Sequence, residues 1–286
     1  MPAENRKPKV EITTIDVGGQ SLRVGIRPGT GSAGPTLLLM NGIGANIELF
    51  DPFVDELVDE GIEVINFDVP GIGGSPTPAV PYRFPGLARL VSRMLDGLGY
   101  EEVDVLGVSW GGALAQQFAH QYGDRCRRLV LVSTGTGAIM VPGRPSVLLK
   151  LATPRRYLDP SYMEEIGPEI YGGRARLDPE TVRQHVGSMK TRGARGYYYQ
   201  LLAGTGWTSL PWLRRLSQPT LIISGSEDPI VPLTNAKILA RLIPDSRLHV
   251  VDDGHLALLT SAKELAPVVE RFLLEDGGRG GERAHG

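Results

Sequence analysis

The sequence predicts an α/β fold, a mostly parallel sheet covered on both faces by helices. Three observations carry this. Short apolar runs recur along the 286-residue chain, and stretches with apolar residues at helical spacing separate them. The alternation breaks over residues 135–216 and then resumes, as one sheet interrupted by an insertion would read. Apolar residues make up 41% of the chain, enough for a sizeable core.

Residues 10–15 and 21–26 read as strands joined by a Gly18-Gly19 turn, so an antiparallel hairpin opens the fold. Residues 36–40 form a short apolar strand, followed by the loop Asn41-Gly42-Ile43-Gly44 and a helix within 47–60. Residues 63–67 are the next strand, and a Gly- and Pro-rich loop, 68–76, leaves its carboxyl end. Residues 85–98 read as an amphipathic helix. A strand at 103–108, a helix at 113–122 and a strand at 128–132 follow. The last units are strand 220–224, helix 233–242, strand 247–251 and helix 262–274. Residues 1–134 and 217–276 therefore form one core, with 135–216 as a helical lid over the carboxyl ends of the strands. The glycine-rich tail, 277–286, is expected to be disordered.

A formal charge of −2 argues against nucleic acid as the main partner. The one basic cluster, Arg125, Arg127 and Arg128, reads as a solvated helix-to-strand loop. The single cysteine, Cys126, fits a reducing, cytoplasmic setting. The N-terminal stretch has no apolar signal-peptide core, and no run is long enough to span a bilayer.

Within VDVLGVSWGGALAQQF, a buried strand stops at Ser109 as a helix is about to begin. Gly107 and Gly111 flank it as G-V-S-W-G. A sharp strand-to-helix turn brings backbones together, pushes the hydroxyl above the sheet and aims helix N–H groups at what it attacks. An N-cap serine would also suit this position, so the rest of the chain must supply a base. Of five histidines, His120 is in the following helix, His185 in the insertion, His249 in a strand and His285 in the tail. His255 stands in the loop DDGHL after the last strand, on the same rim as Ser109, with Gly254 allowing a sharp turn. The orienting acid is expected after strand 220–224, where Asp228 is stiffened by Pro229 and Pro232. Glu227 is its close competitor; Asp252 and Asp253 are weaker ones. A carboxylate on Nδ1 fixes the imidazole tautomer and stabilises the imidazolium. Oxyanion donors are expected at the main-chain N–H groups of Trp110 and Ile43. Neither Gly-rich loop has phosphate-binding spacing, and no metal-ligand pattern of His and Cys occurs, so no cofactor or metal is implied.

Serine, acid and histidine occur in the chain order of the α/β-hydrolases. At these residues the sequence resembles that superfamily over nearly its whole length. The motifs MNGIGANIELFDPFV, FDVPGIGGSPTP, GVSWGGALAQQFAHQY, MVPGRP, TPRRYLDPS, GYYYQLLAGTGWTS and DDGHLALLT narrow the likeness. Together they resemble the intracellular poly(3-hydroxyalkanoate) depolymerases acting on medium-chain-length polyesters. The resemblance implies a granule-associated serine hydrolase with Ser109 as nucleophile, Asp228 as acid and His255 as base. The usual superfamily His-Gly pair appears here as Asn41-Gly42, in keeping with that subfamily. The insertion offers an apolar wall for an aliphatic ester, and Met140, Val141 and Trp207 are assigned to it. A small-molecule carboxylesterase, lactonase or cofactor-free perhydrolase would use the same triad. A non-catalytic protein binding an apolar ligand or a granule surface is the alternative outside the enzymes. Oligomeric state is not legible.

Overall fold

The computed structural model describes residues 9–275 apart from 31–33, 60, 152, 154, 156–158, 179, 181–182 and 184–192. The tail expectation for 277–286, His185 and His285 lie outside the described residues. Strands β1 (Glu11–Val17) and β2 (Gln20–Arg27) form the expected hairpin. Gly18 and Gly19, with φ of +63° and +87°, make a turn that matches strand twist. Then come β3 (Thr36–Met40), α1 (Asp51–Asp59), β4 (Glu63–Phe67) and α2 (Phe84–Leu98). β5 (Val103–Val108), α3 (Trp110–Gln121) and β6 (Cys126–Val132) follow. The connection after β6 holds α4 (Pro145–Leu151), α5 (Pro160–Tyr171) and α6 (Ala194–Gly204). The chain closes with β7 (Thr220–Gly225), α7 (Leu233–Leu242), β8 (Ser246–Val251), α8 (Ala257–Thr260) and α9 (Ala262–Leu274).

The eight strands form one sheet in the order β1-β2-β4-β3-β5-β6-β7-β8. β2 pairs antiparallel with β1 and β4, and every other pair is parallel. Strands buried on both faces read as continuous apolar runs, and β5 and β7 are buried at every position. Alternate residues then feed opposite cores. Leu38, Met40, Val105 and Leu131 pack under α2, α3 and α7 with Met94, Phe118 and Leu239. Leu37, Leu39, Leu106 and Val130 pack under α1 and α9 with Phe53, Leu57 and Phe272. The order reverses direction about β5, with β3 on one side and β6 on the other. The loops leaving β3 and β5 therefore part company there and leave a crevice, where open α/β sheets bind ligands. Among the described residues no helix is long and apolar enough to cross a membrane.

Two local readings need correction. Helix α3 starts at Trp110, three residues earlier than helix propensity suggests, because Gly111 and Gly112 are placed by packing. A Cβ at Gly111 would lie 2.1 Å from the Met40 carbonyl oxygen, and one at Gly112 would lie 2.6 Å from Thr134. Nor is the arginine cluster solvated. Arg128 is buried over the Phe272 ring and donates to the Glu275 carbonyl. Arg127 donates from Nε to the buried Asp104 at 3.0 Å. Burial pushes the Asp104 carboxyl up to about 6, with Arg127 pulling it down only in part.

Candidate active site

The site is built at the carboxyl ends of β3, β5, β7 and β8. Ser109 follows β5 directly, with φ 53° and ψ −115°. A non-glycine residue in this region is strained, and the surroundings must hold it there. Its N–H donates to the Val132 carbonyl at 2.9 Å, and its own carbonyl accepts from Gly112 N–H and Thr134 Oγ1. The turn is tight enough that a Cβ at Gly107 would come within 2.7 Å of Gly112 Cα.

The structure brings Ser109, His255 and Asp228 together in a row. His255 Nε2 lies 3.1 Å from Ser109 Oγ, and Nδ1 lies 2.7 Å from Asp228 Oδ2. The carboxylate accepts, so the Nδ1–H tautomer leaves Nε2 to accept from the serine. Both His255 and Asp228 are buried, which shields the pair from water. Asp228 Oδ1 is fixed independently by the N–H groups of Ile230 and Val231 at 2.8 and 2.9 Å.

The competing carboxylates are engaged elsewhere. Glu227 faces Arg176 at 3.1 Å, and Asp252 accepts from Ser226 Oγ at 3.2 Å. Asp253 is buried and accepts from Arg174 N–H, Gly254 N–H, Thr260 Oγ1 and Ser261 Oγ. It thereby ties the histidine loop to the chain after α5. The His255 N–H completes the tie by donating to the Tyr171 carbonyl at 2.7 Å. Gly254 is required for this approach, not for a left-handed turn: a Cβ there would lie 2.1 Å from the Tyr171 oxygen.

Trp110 and Ile43 flank the serine, one from each loop. Trp110 opens α3 immediately after Ser109. The β3 loop runs alongside, with a Cβ at Gly42 falling 3.8 Å from Ser109 Cβ. Asn41 braces this loop, donating to Asn66 Oδ1 at 3.0 Å and to the Asn46 carbonyl at 2.8 Å. Asp68 holds the loop's far end through Ile47 N–H at 2.9 Å and the next loop through Gly74 N–H at 2.7 Å. Burial raises the Asp68 carboxyl's pKa, against the pull of these N–H groups and Arg23.

A cavity of about 70 Å³ opens beside Ser109 and His255. Its apolar wall includes Leu49, Phe50, Leu151, Tyr171, Ile230 and Leu256. None of these was singled out from sequence, because a wall gathered from five segments has no local pattern. The three residues assigned to substrate do not line it. Trp207 packs against Phe84 and Trp212, and its indole N–H donates to Gln117 at 2.8 Å. Val141 is held through its main chain by Asn235, and the Met140 side chain reaches back toward Gly135.

This sheet, this strand-to-helix serine and this chain order define a known class. The family model for the alpha/beta hydrolase fold matches residues 35–262, and the chain belongs to that family. The chain is 54% identical over 263 residues to a poly(3-hydroxyalkanoate) depolymerase of Ectopseudomonas oleovorans, covering 92% of each. Among solved structures it resembles the enol-lactonase from Burkholderia xenovorans LB400 (TM-score 0.77, 24% identity), covering 92% of this chain and 100% of that one. A hydrolase from Pseudomonas aeruginosa PA01 superposes with a TM-score of 0.76 at 24% identity, covering 92% and 98% of the two chains. These two likenesses concern the fold.

Proposed function

We propose that this protein is a serine hydrolase that cleaves the ester bonds of medium-chain-length poly(3-hydroxyalkanoate) through an acyl-enzyme. The observation that carries the chemistry is the Ser109–His255–Asp228 row, with links of 3.1 and 2.7 Å. The substrate class rests on the 54% identity to the depolymerase. His255 Nε2 takes the proton from Ser109 Oγ as the oxygen attacks the ester carbonyl. Asp228 holds the imidazolium that forms. The N–H groups of Ile43 and Trp110 receive the oxyanion, each donor lowering the barrier by about 3 kcal/mol. His255 then returns the proton to the leaving hydroxyl end of the polymer. It next activates a water, which cleaves the acyl-enzyme and frees a carboxylate end.

Residues 135–216 act as a lid on the core formed by 1–134 and 217–276. In support, Leu151 and Tyr171 from that segment line the cavity beside Ser109. Eight of the 13 large apolar residues exposed among the described residues fall in this segment, including Ile139, Leu149 and Leu177. Such a surface suits an insoluble aliphatic polyester. The enzyme works at stored granules in the cytoplasm, which suits a chain whose lone cysteine is buried and free.

The test is product analysis on a medium-chain polyester latex and on short p-nitrophenyl esters, with wild type and Ser109→Ala. Wild type should release hydroxyacids from the latex, and the variant should lose at least about 10⁴-fold of turnover on both substrates. Hydrolysis of the small esters alone would assign the chain to the small-ester reading. Near wild-type turnover by the variant would remove the triad assignment.

A further inference from the structure

Gln200 lies on α6, far in sequence from the rim, and is 2% exposed. It sits at helical spacing with Gly196, Tyr197 and Ala203 on the buried face of that helix. Two of its groups act on the two sides of the serine. Its Oε1 accepts the Gly44 N–H at 2.8 Å, and its main-chain carbonyl accepts the Trp110 indole N–H at 2.8 Å. Gly44 has a φ of +77° and no Cβ. The peptide between Ile43 and Gly44 therefore turns over at little steric cost unless an acceptor holds it. Gln200 is that acceptor. The helix carrying it is itself docked on the core: a Cβ at Gly196 would lie 2.1 Å from the Gly71 carbonyl oxygen. Arg195 and the Tyr199 hydroxyl both donate to the Ala79 carbonyl, at 2.9 and 3.2 Å.

We propose that Gln200 is a positioning residue that sets the oxyanion hole from the β6–β7 connection. It fixes the β3 loop and Trp110 against each other, so that the N–H groups of Ile43 and Trp110 converge on one point. The inference rests on the serine-hydrolase reading above. Its effect falls on the tetrahedral intermediate and the transition states beside it, because the bound ester carries no oxyanion. Substrate binding in the ground state is left nearly unchanged.

Gln200→Met keeps length and burial and removes the acceptor; Gln200→Glu restores an oxygen. Three quantities are measured on p-nitrophenyl octanoate: active-site concentration from the burst, kcat per titrated site, and KM. A fourth is the Ki of an alkylboronic acid, which mimics the tetrahedral state. For Gln200→Met, kcat per site should fall about 10- to 100-fold, less than the 10²–10³ lost with a donor itself. KM should stay within about threefold, and the boronate Ki should rise by the same factor as kcat falls. A purely structural role would lower the burst and leave these per-site values alone.

Glutamate gives a second, independent reading. Gln200 Nε2 is buried with no partner. A glutamate keeps one oxygen for the Gly44 N–H, and its second oxygen takes the place of that unpartnered Nε2. The kcat per site of Gln200→Glu should therefore exceed that of Gln200→Met by at least about threefold. The proposal is overturned if Gln200→Met holds kcat per site and Ki within about twofold of wild type. If that variant does not fold, Gln200→Leu takes its place, and kcat per site and Ki within about twofold of wild type overturn the proposal instead. Near wild-type hydrolysis by Ser109→Ala would sink the serine-hydrolase reading first, and this inference with it.

Discussion

At the rim of the sheet, main-chain contacts fix the reactive side chains; in the β6–β7 connection, side chains pack on one another and many face solvent. Ser109 is pinned through Val132, Gly112 and Thr134, and Asp228 through two successive N–H groups. The connection has its own small core of Val147, Met163, Ile166 and Ile170, and leaves Leu149 and Leu177 72% and 86% exposed. A reactive row must hold its atoms to within about half an ångström, and rigid strand ends supply that. A surface that meets a polymer has no such demand. It needs apolar area, and its solvent-facing residues can vary without disturbing the row.

Three measurements sharpen or break that division. The largest effect is expected at the rim. Asp228→Asn should lower kcat by roughly 10³–10⁴-fold, because the amide no longer holds the Nδ1–H tautomer. Glu227→Gln, one residue away, should stay within about twofold, since that side chain faces Arg176. Equal losses in the two variants would show that the loop, not the hydrogen bond, is what matters. An intermediate effect is expected on the connection. A triple variant, Ile139→Ser, Leu149→Ser and Leu177→Ser, should slow release from polyester latex about tenfold or more. Its turnover of p-nitrophenyl octanoate should not change. A matching loss on both substrates would mean that this surface is coupled to the chemistry.

The smallest effect is expected in the core, far from both regions. Asp104 titrates near 6 in the fold, above the ordinary unfolded aspartate value of about 3.9. Between those values the folded chain binds more protons, so this group's contribution to stability is lost as pH rises through about 6. Asp104→Asn does not titrate. Its melting temperature relative to wild type should therefore rise by roughly 2 °C or more between pH 5 and pH 7.5. A difference that is flat or opposite in sign would mean that Arg127 outweighs burial.

Sequence made the rim readable because each reactive residue follows an apolar run that names its strand. The order serine, acid, histidine then singled out Ser109, Asp228 and His255. Sequence ranked Asp228 above Glu227, Asp252 and Asp253 through its flanking prolines but did not exclude them, since all four carboxylates lie in loops at the same end. Only the Arg176, Ser226, Thr260 and Ser261 contacts do so. The apolar wall was unreadable for another reason. Phe50, Leu151 and Ile230 meet only after the connection folds back over the rim. Trp207 looked like a wall residue because tryptophan suits either setting; its indole N–H found Gln117 and put it in the core. Gln200 did leave a trace: a polar residue at apolar helical spacing within GYYYQLLAG.

The backbone seam between residues 171–174 and 253–255 has a practical bearing on chimaeras. Because Tyr171 receives the His255 amide and Arg174 supplies an amide to Asp253, the imidazole is hung partly from the neighbouring segment. Anyone grafting a foreign cap between β6 and β7 to change substrate range must carry the Tyr171-Gly172-Gly173-Arg174 stitch across intact. A donor segment with a bulkier residue at position 173 would collide with Gly254 and displace the base before any new substrate arrived.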